Sequence, residues 1–313
     1  MTVAIATDLA RLRENVGRAY RGERRTIDLV LTALLSHGHI LIEDVPGVGK
    51  TTLARALGRS LSLDFRRIQF TSDTLPADVL GITVFHAATD RFEFHPGPLF
   101  ANIVLADEIN RATPKTQSSL LEAMNEGAVT VESDRRELPQ PFMVVATQNP
   151  VEYLGTYPLP ESQMDRFFIR LSLGYPGPEA EKELLRSGGT DRELATLPAV
   201  LERSQVFDLQ KAAENVRVAD RLLDYMHALV SATRKAGDLR LPVSTRGAQA
   251  LYRATQAYAL VSGRDYATPD DVQAVAEPVL AHRILSVSSD GFGAGAREKE
   301  FVKRVLAQVP VPV

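Results

Sequence analysis

The stretch His39-Ile40-Leu41-Ile42-Glu43-Asp44-Val45-Pro46-Gly47-Val48-Gly49-Lys50-Thr51-Thr52 decides the fold. A short apolar run ends in a Gly/Pro turn, and a helical pattern follows from Thr52 to Leu61. The order is therefore buried strand, loop, helix. Glycines let the backbone turn sharply enough for several N–H groups to converge, and the helix adds its positive amino end, which together make a cradle for phosphate oxygens. Pro46, Gly47, Val48 and Gly49 form the loop of that cradle. Lys50 brings a point charge to the outer phosphates, Thr51 offers a hydroxyl to Mg²⁺, and Thr52 completes the run. Asp44 stands where the strict pattern has glycine. A carboxylate facing phosphates would repel them, so its side chain is expected to point away, toward the following turn.

Two further apolar runs, Ile103-Val104-Leu105-Ala106 and Phe142-Met143-Val144-Val145-Ala146, read as buried strands. Separated by helical segments, they point to a parallel sheet with helices on its faces. The first ends in Asp107-Glu108. On a parallel sheet, ligands lie beyond the carboxyl ends of the strands, which puts these two carboxylates beside the cradle. Asp107 is expected to hold Mg²⁺ through water, and Glu108 to orient or deprotonate an attacking water. The second run ends in Thr147-Gln148-Asn149-Pro150. Its amide suits the same water or a γ-phosphate, while Asn-Pro is equally an ordinary turn signal.

Apolar positions recur at helical spacing from Thr7 to Leu35. Gly174-Tyr175-Pro176-Gly177-Pro178 breaks the pattern as a hinge. Beyond it Glu179–Arg186, Val206–Asn215, Ala219–Lys235, Arg246–Ser262 and Pro269–Arg283 read as helices, with caps at Ser244-Thr245 and Thr268-Pro269. The expected architecture is an α/β P-loop NTPase core with a parallel sheet over residues 1–173, followed by a smaller all-helical lid over 179–313.

The chain has 313 residues, 44% hydrophobic and 24% charged, with a formal charge of -3. The charge gives no support for gripping nucleic acid by its phosphates, and no nucleic-acid partner is expected. Without cysteine there are no disulfides, thiolate metal sites or cysteine nucleophiles. No apolar stretch reaches about 18 residues, so no membrane span is read, and the amino terminus lacks a leader pattern. A cytoplasmic protein is expected.

The segments Glu43–Thr51, Asp107-Glu108-Ile109-Asn110-Arg111-Ala112, Thr147–Pro150 and Leu159-Pro160-Glu161-Ser162-Gln163-Met164-Asp165-Arg166-Phe167 together resemble the MoxR family of AAA+ ATPases. The likeness covers nearly the whole chain and is strongest from Leu41 to Phe168. It implies ATP hydrolysis to ADP with Mg²⁺ at subunit interfaces of a ring of identical chains, a hexamer, remodelling a client or adaptor protein, often one with a von Willebrand factor A domain. It also implies roles: Lys50 and Thr51 as Walker A, Asp107 and Glu108 as Walker B, Asn149 as sensor 1, Arg166 as an arginine finger toward a neighbouring subunit, and Arg246 as sensor 2 touching the γ-phosphate of its own subunit. AAA+ proteins bind adenine with the segment before the first strand, which here is Tyr20-Arg21-Gly22. Arg111 faces either the interface or its own chain. A helicase-like nucleic-acid motor and a metal-chelatase motor subunit remain alternatives with the same core.

Two segments read as hairpins where this branch of AAA+ proteins carries insertions. One is Gly81–Pro98, with arms Thr83-Val84-Phe85 and Phe92-Glu93-Phe94; the other is Ala128–Leu138, turning at Ser133-Asp134. His86 and His95 lie in the first, facing each other or solvent. His37-Gly38-His39 lacks a partner at metal-ligand spacing, and His39 reads as structural. Arg135-Arg136, flanked by Asp134 and Glu137, reads as a solvated turn of mixed charge.

Overall fold

In a computed structural model of the chain, residues 2–149, 155–187, 189–287 and 294–312 are described below. The elements run in order α1 (Val3–Ala19), α2 (Arg24–Leu35), β1 (Ile40–Glu43), α3 (Lys50–Ser60), β2 (Phe65–Gln69), α4 (Pro76–Leu80), β3 (Gly81–His86), β4 (Arg91–Pro96), β5 (Ile103–Asp107), α5 (Pro114–Glu126), β6 (Ala128–Val131), β7 (Asp134–Glu137), β8 (Met143–Gln148), α6 (Glu161–Met164) and β9 (Ile169–Leu171). Then come α7 (Pro178–Ser187), α8 (Asp191–Thr196), α9 (Arg203–Glu214), α10 (Asp220–Lys235), β10 (Leu239–Leu241), α11 (Thr245–Val261), α12 (Pro269–Leu280), β11 (Leu285–Ser286) and α13 (Ala294–Gln308).

The main sheet has five strands in the order β2-β5-β8-β1-β9, and every neighbouring pair is parallel. The apolar runs are continuous because both faces are covered. Ile40, Ile42, Ile103, Leu105, Met143, Val145, Ile169 and Leu171 pack on one face with α1–α3 and the carboxyl-terminal helices. Leu41, Val104, Ala106, Val144 and Ala146 pack on the other with Leu120, Leu121, Val129 and Phe167. Consecutive residues thus feed opposite cores, as the two-residue period of a strand demands.

The expected parallel core and helical lid are both found. The lid also carries a small antiparallel ribbon of β10 and β11, which is only three and two residues long and nowhere fully buried, and so leaves no apolar run in the sequence. The helical stretch from Thr7 to Leu35 is broken at residues 20–23, where Tyr20 is extended. Ser244 caps α11 by accepting from the Gly247 N–H. Both hairpins form: β3 pairs with β4, and β6 with β7 across a turn in which Glu132 has φ 58°. Gly127 closes α5 at φ 59°, a left-handed C-cap that glycine adopts without a Cβ penalty.

His39 joins three elements at the amino edge of the sheet. Its Nδ1 accepts from the Val144 N–H at 3.0 Å, so its Nε2 carries the proton and donates to the Met124 carbonyl at 2.9 Å. Burial pushes its pKa down to about 4. Protonation would also break the Val144 bond. The unfolded chain takes up this proton near pH 6.5 and the folded chain does not, so stability is full above pH 6.5 and declines as pH falls toward 4. Between pH 6.5 and pH 5 the His39 contribution is expected to cost about 2 kcal/mol. Urea unfolding at both pH values should show a smaller pH-dependent loss for His39→Gln than for the wild type.

Candidate functional site

The site lies at the carboxyl edge of the sheet, where β1, β5 and β8 end side by side. Gly47 (φ 87°) and Gly49 (φ 95°) are both left-handed, which is the backbone geometry the tight cradle requires. Val48 is buried and anchors the loop in the core. α3 starts at Lys50 with Gly49 as its N-cap, so the helix dipole points into the cradle. Lys50 Nζ donates to the Asp44 carbonyl at 2.7 Å, and Thr51 follows in the first turn of the helix.

The Asp44 carboxylate turns away from the cradle, as charge repulsion requires. Its Oδ1 accepts from the Val45 N–H at 2.8 Å. Its Oδ2 accepts from the Leu173 and Gly174 N–H groups, each at 2.8 Å, and from Ser172 Oγ at 3.0 Å. Burial works against ionisation, but the donors from Gly174, Val45, Ser172 and Leu173 outweigh it and hold this carboxyl below its ordinary range. Asp44 thus ties the cradle to residues 172–174, just after β9, while its carbonyl holds Lys50.

Asp107 is buried at the end of β5. Thr147 Oγ1 donates to Asp107 Oδ1 at 2.5 Å and accepts from the Glu108 N–H at 3.0 Å. One hydroxyl on β8 therefore fixes both members of the acid pair. Glu108 sits at φ 58°, ψ 48°, a left-handed conformation costly for a residue with a Cβ and found mainly where function demands it. Its carboxylate lies 3.1 Å from Arg111 Nε. Asn149 is buried just past the end of β8; Pro150, the last residue of its motif, lies outside the described residues.

Arg67 was not legible as a site residue. On β2 it projects to the same side as Asp107 and donates to Asp107 Oδ2 through Nη2 at 2.6 Å and Nε at 3.2 Å. Only the register, in which Gln69 pairs with Asp107, places it there. Thr51 and Asp107 supply hard oxygen donors of the kind Mg²⁺ takes from proteins in small number, so the residues present fit that ion.

Tyr20 is buried beside the cradle: a Cβ at Gly49 would lie 3.5 Å from its ring. Burial pushes the Tyr20 hydroxyl up to about 12. Arg21 Nη2 lies 3.2 Å from Glu183 on α7, and Gly22 is packed so closely on the Tyr20 ring that a Cβ would overlap it. Thr52 Oγ1 lies 3.3 Å from Thr190 Oγ1. The segment before β1, the cradle and the α7–α8 region therefore meet.

Arg166 and Arg246 are elsewhere. Arg166 precedes β9, whose Ile169 pairs with Ile40, so it stands at the amino edge of the sheet. Asp165, the acid next to it, is taken by buried Arg283 at 2.7 Å. Arg166 forms no side-chain hydrogen bond or ion pair among the described residues. Arg246 Nη2 donates to Asn125 Oδ1 at 2.6 Å, beside the Met124 carbonyl that His39 contacts. This corrects the expectation that Arg246 touches the γ-phosphate of its own subunit. α11 packs at the amino edge, and the whole length of β1, about 13 Å at the usual strand rise, separates that edge from the cradle.

Comparison with known proteins supports the fold described above. Residues 39–169 match the ATPase family associated with various cellular activities, and residues 231–305 match the AAA lid domain. The uncharacterised protein YeaC of Bacillus subtilis is 48% identical over 96% of this chain and 93% of its own. Chaperone MoxR1 of Mycobacterium tuberculosis is 39% identical over 95% of this chain and 80% of its own. A crystal structure of a candidate ATPase from Cytophaga hutchinsonii superposes with a TM-score of 0.89 at 34% identity, covering 99% of this chain and 97% of that one.

Replacing Asp44 with glycine restores the strict loop pattern but removes the acceptor for residues 172–174. Lost charge-assisted bonds of this kind are worth about 1–2 kcal/mol at a partly exposed site. Hydrogen exchange should quicken at Leu173 and Gly174 in Asp44→Gly; unchanged protection there would show that the carboxylate does not hold this segment.

Proposed function

The chain belongs to the MoxR family of AAA+ ATPases and hydrolyses ATP; we propose that it does so with Mg²⁺ at composite sites between neighbouring subunits of a six-membered ring, and that the cycle remodels a client protein. The single observation behind the composite site is the polarity of the sheet. The cradle and the acid pair stand at the carboxyl edge. Arg166, Arg246 and Arg253, none with a carboxylate partner among the described residues, stand with Arg283 at the amino edge, where Asp165 is the acid that Arg283 contacts. Arg246 helps to depress the pKa of Arg253, whose main cause is burial. Cations crowded in this way favour an anion brought from outside, and a triphosphate at the next subunit's cradle supplies one.

In this reading Pro46–Thr52 wrap the phosphates and Lys50 exchanges the Asp44 carbonyl for them. Thr51 and Asp107 hold Mg²⁺, which supplies charge neutralisation on the phosphate oxygens when bound. Thr147 keeps Asp107 and Glu108 in register with each other. Glu108, steadied by Arg111, orients the attacking water or takes its proton, and Asn149 holds that water or the γ-phosphate. Arg166 and Arg246 stabilise charge on the neighbour's transferred phosphoryl group. Tyr20-Arg21-Gly22 line the adenine side. Arg67 holds Asp107 until nucleotide arrives. Because Asp44 links cradle and hinge, phosphate binding bears on the lid, and lid movement carries the hairpins against the client. The chaperone designation of MoxR1 supports a protein client, and a von Willebrand factor A domain is the class to test first.

Arg166→Ala should bind ATP with nearly wild-type affinity and lose about 10³-fold or more in turnover, as for other trans-acting arginines. An unchanged rate would remove its role. Glu108→Gln is expected to retain ATP and hold the ring assembled in size-exclusion chromatography; fast turnover by that variant would contradict its assignment.

A further inference from the structure

The hairpin of β3 and β4 carries a constellation that the ATPase cycle does not use. Ile82 pairs with His95, Val84 with Glu93 and His86 with Arg91, so these six side chains share one face of the ribbon. Of them His86, Glu93 and His95 bring one donor atom each to within 4.8 Å of one another. The two imidazole rings sit 5.8 Å apart at a tilt of 40°. His86 Nε2 lies 3.3 Å from a Glu93 carboxylate oxygen, yet it is shielded from solvent and makes no hydrogen bond. A polar nitrogen in that condition lacks the partner its burial calls for.

We propose that His86, Glu93 and His95 form a zinc-binding site on the outer face of this hairpin. Two imidazoles and a carboxylate are the donor set that Zn²⁺ takes with three protein ligands, whereas Mg²⁺ and Ca²⁺ prefer oxygen throughout. Bonds of about 2.0–2.2 Å to a tetrahedral ion place donors about 3.3–3.6 Å apart. The existing spacing closes to that value by small rotations of partly exposed side chains, with the strands left in place. Three ligands leave a fourth position for water or for a donor from another molecule. Arg91, opposite His86, is the one cation among the six residues of this face, and it sets the affinity below that of an acid-rich site. The opposite face is occupied differently. There Phe94 packs on Phe100, at 5.5 Å between ring centres, and under Arg136 at 4.0 Å, while Phe85 and Phe92 pair at 5.1 Å near the tip. Zinc bound across the free face would staple residue 86 to residues 93 and 95 and stiffen the outer part of the hairpin, beyond the packing of Phe94 on Phe100 and Arg136.

The test is calorimetric titration of the chelator-treated full chain with ZnCl₂, without nucleotide and with excess Mg²⁺. One zinc per chain is expected. His86→Ala and His95→Ala should each weaken binding by well over about tenfold, since loss of a ligand exceeds the effect of losing its supporting contacts. His37→Ala, altering another exposed histidine that lies near Glu214, should bind as the wild type does. ATP binding checks that each variant is folded. Wild-type protein that takes up no zinc, or no more than the His86→Ala/His95→Ala double variant, would overturn the site.

Discussion

A parallel sheet has two chemically different edges, and that constraint governs this molecule. All five strands run the same way, so every strand-to-helix turn that can hold phosphate opens at the carboxyl edge. The chain returns to the amino edge before β9, and Arg166 is left there with its neighbouring acid already engaged by Arg283. No rotamer of an arginine spans the sheet. The proposed function follows from this separation: a cradle on one edge and arginines on the other are two halves that head-to-tail association of copies would join.

The acid pair is built with the same economy. Thr147 engages Asp107 and Glu108 through one hydroxyl, so β5 and β8 act as one unit. Asp44 links the cradle to the segment after β9 in the same way, with its carbonyl toward Lys50 and its carboxylate toward residues 172–174. Each device uses one residue to tie together two segments that are distant in sequence.

The cradle was legible in the sequence because its chemistry is local: glycines at φ 87° and 95°, a lysine, a threonine and a helix start fall within one short segment. β1, β5 and β8 were legible because burial on both faces demands unbroken apolar runs. β2 was not, because it lies at the sheet edge, and Arg66, Arg67 and Gln69 are exposed along it. Arg67 was missed for the same reason. An arginine in such a strand reads as a solvent-facing residue, and only the pairing with β5 shows that it meets Asp107. The family likeness implied that Arg246 touches the γ-phosphate of its own subunit, whereas its bond to Asn125 holds it at the opposite edge of the sheet. Linear order says nothing about which side of the core a later helix packs on; that is settled by long-range contacts such as the bond between Arg246 and Asn125.

Subunit mixing tests the central claim most directly. Lys50→Ala lacks a working cradle but keeps its amino-edge arginines, and Arg166→Ala has the reverse defect. Each alone should be nearly inactive. Mixed in equal amounts and reassembled, they should regain ATPase activity up to about a quarter of the wild-type rate, the fraction of head-to-tail interfaces that pair an intact cradle with an intact arginine. Mixed rings no more active than the separate variants would contradict a site shared between subunits.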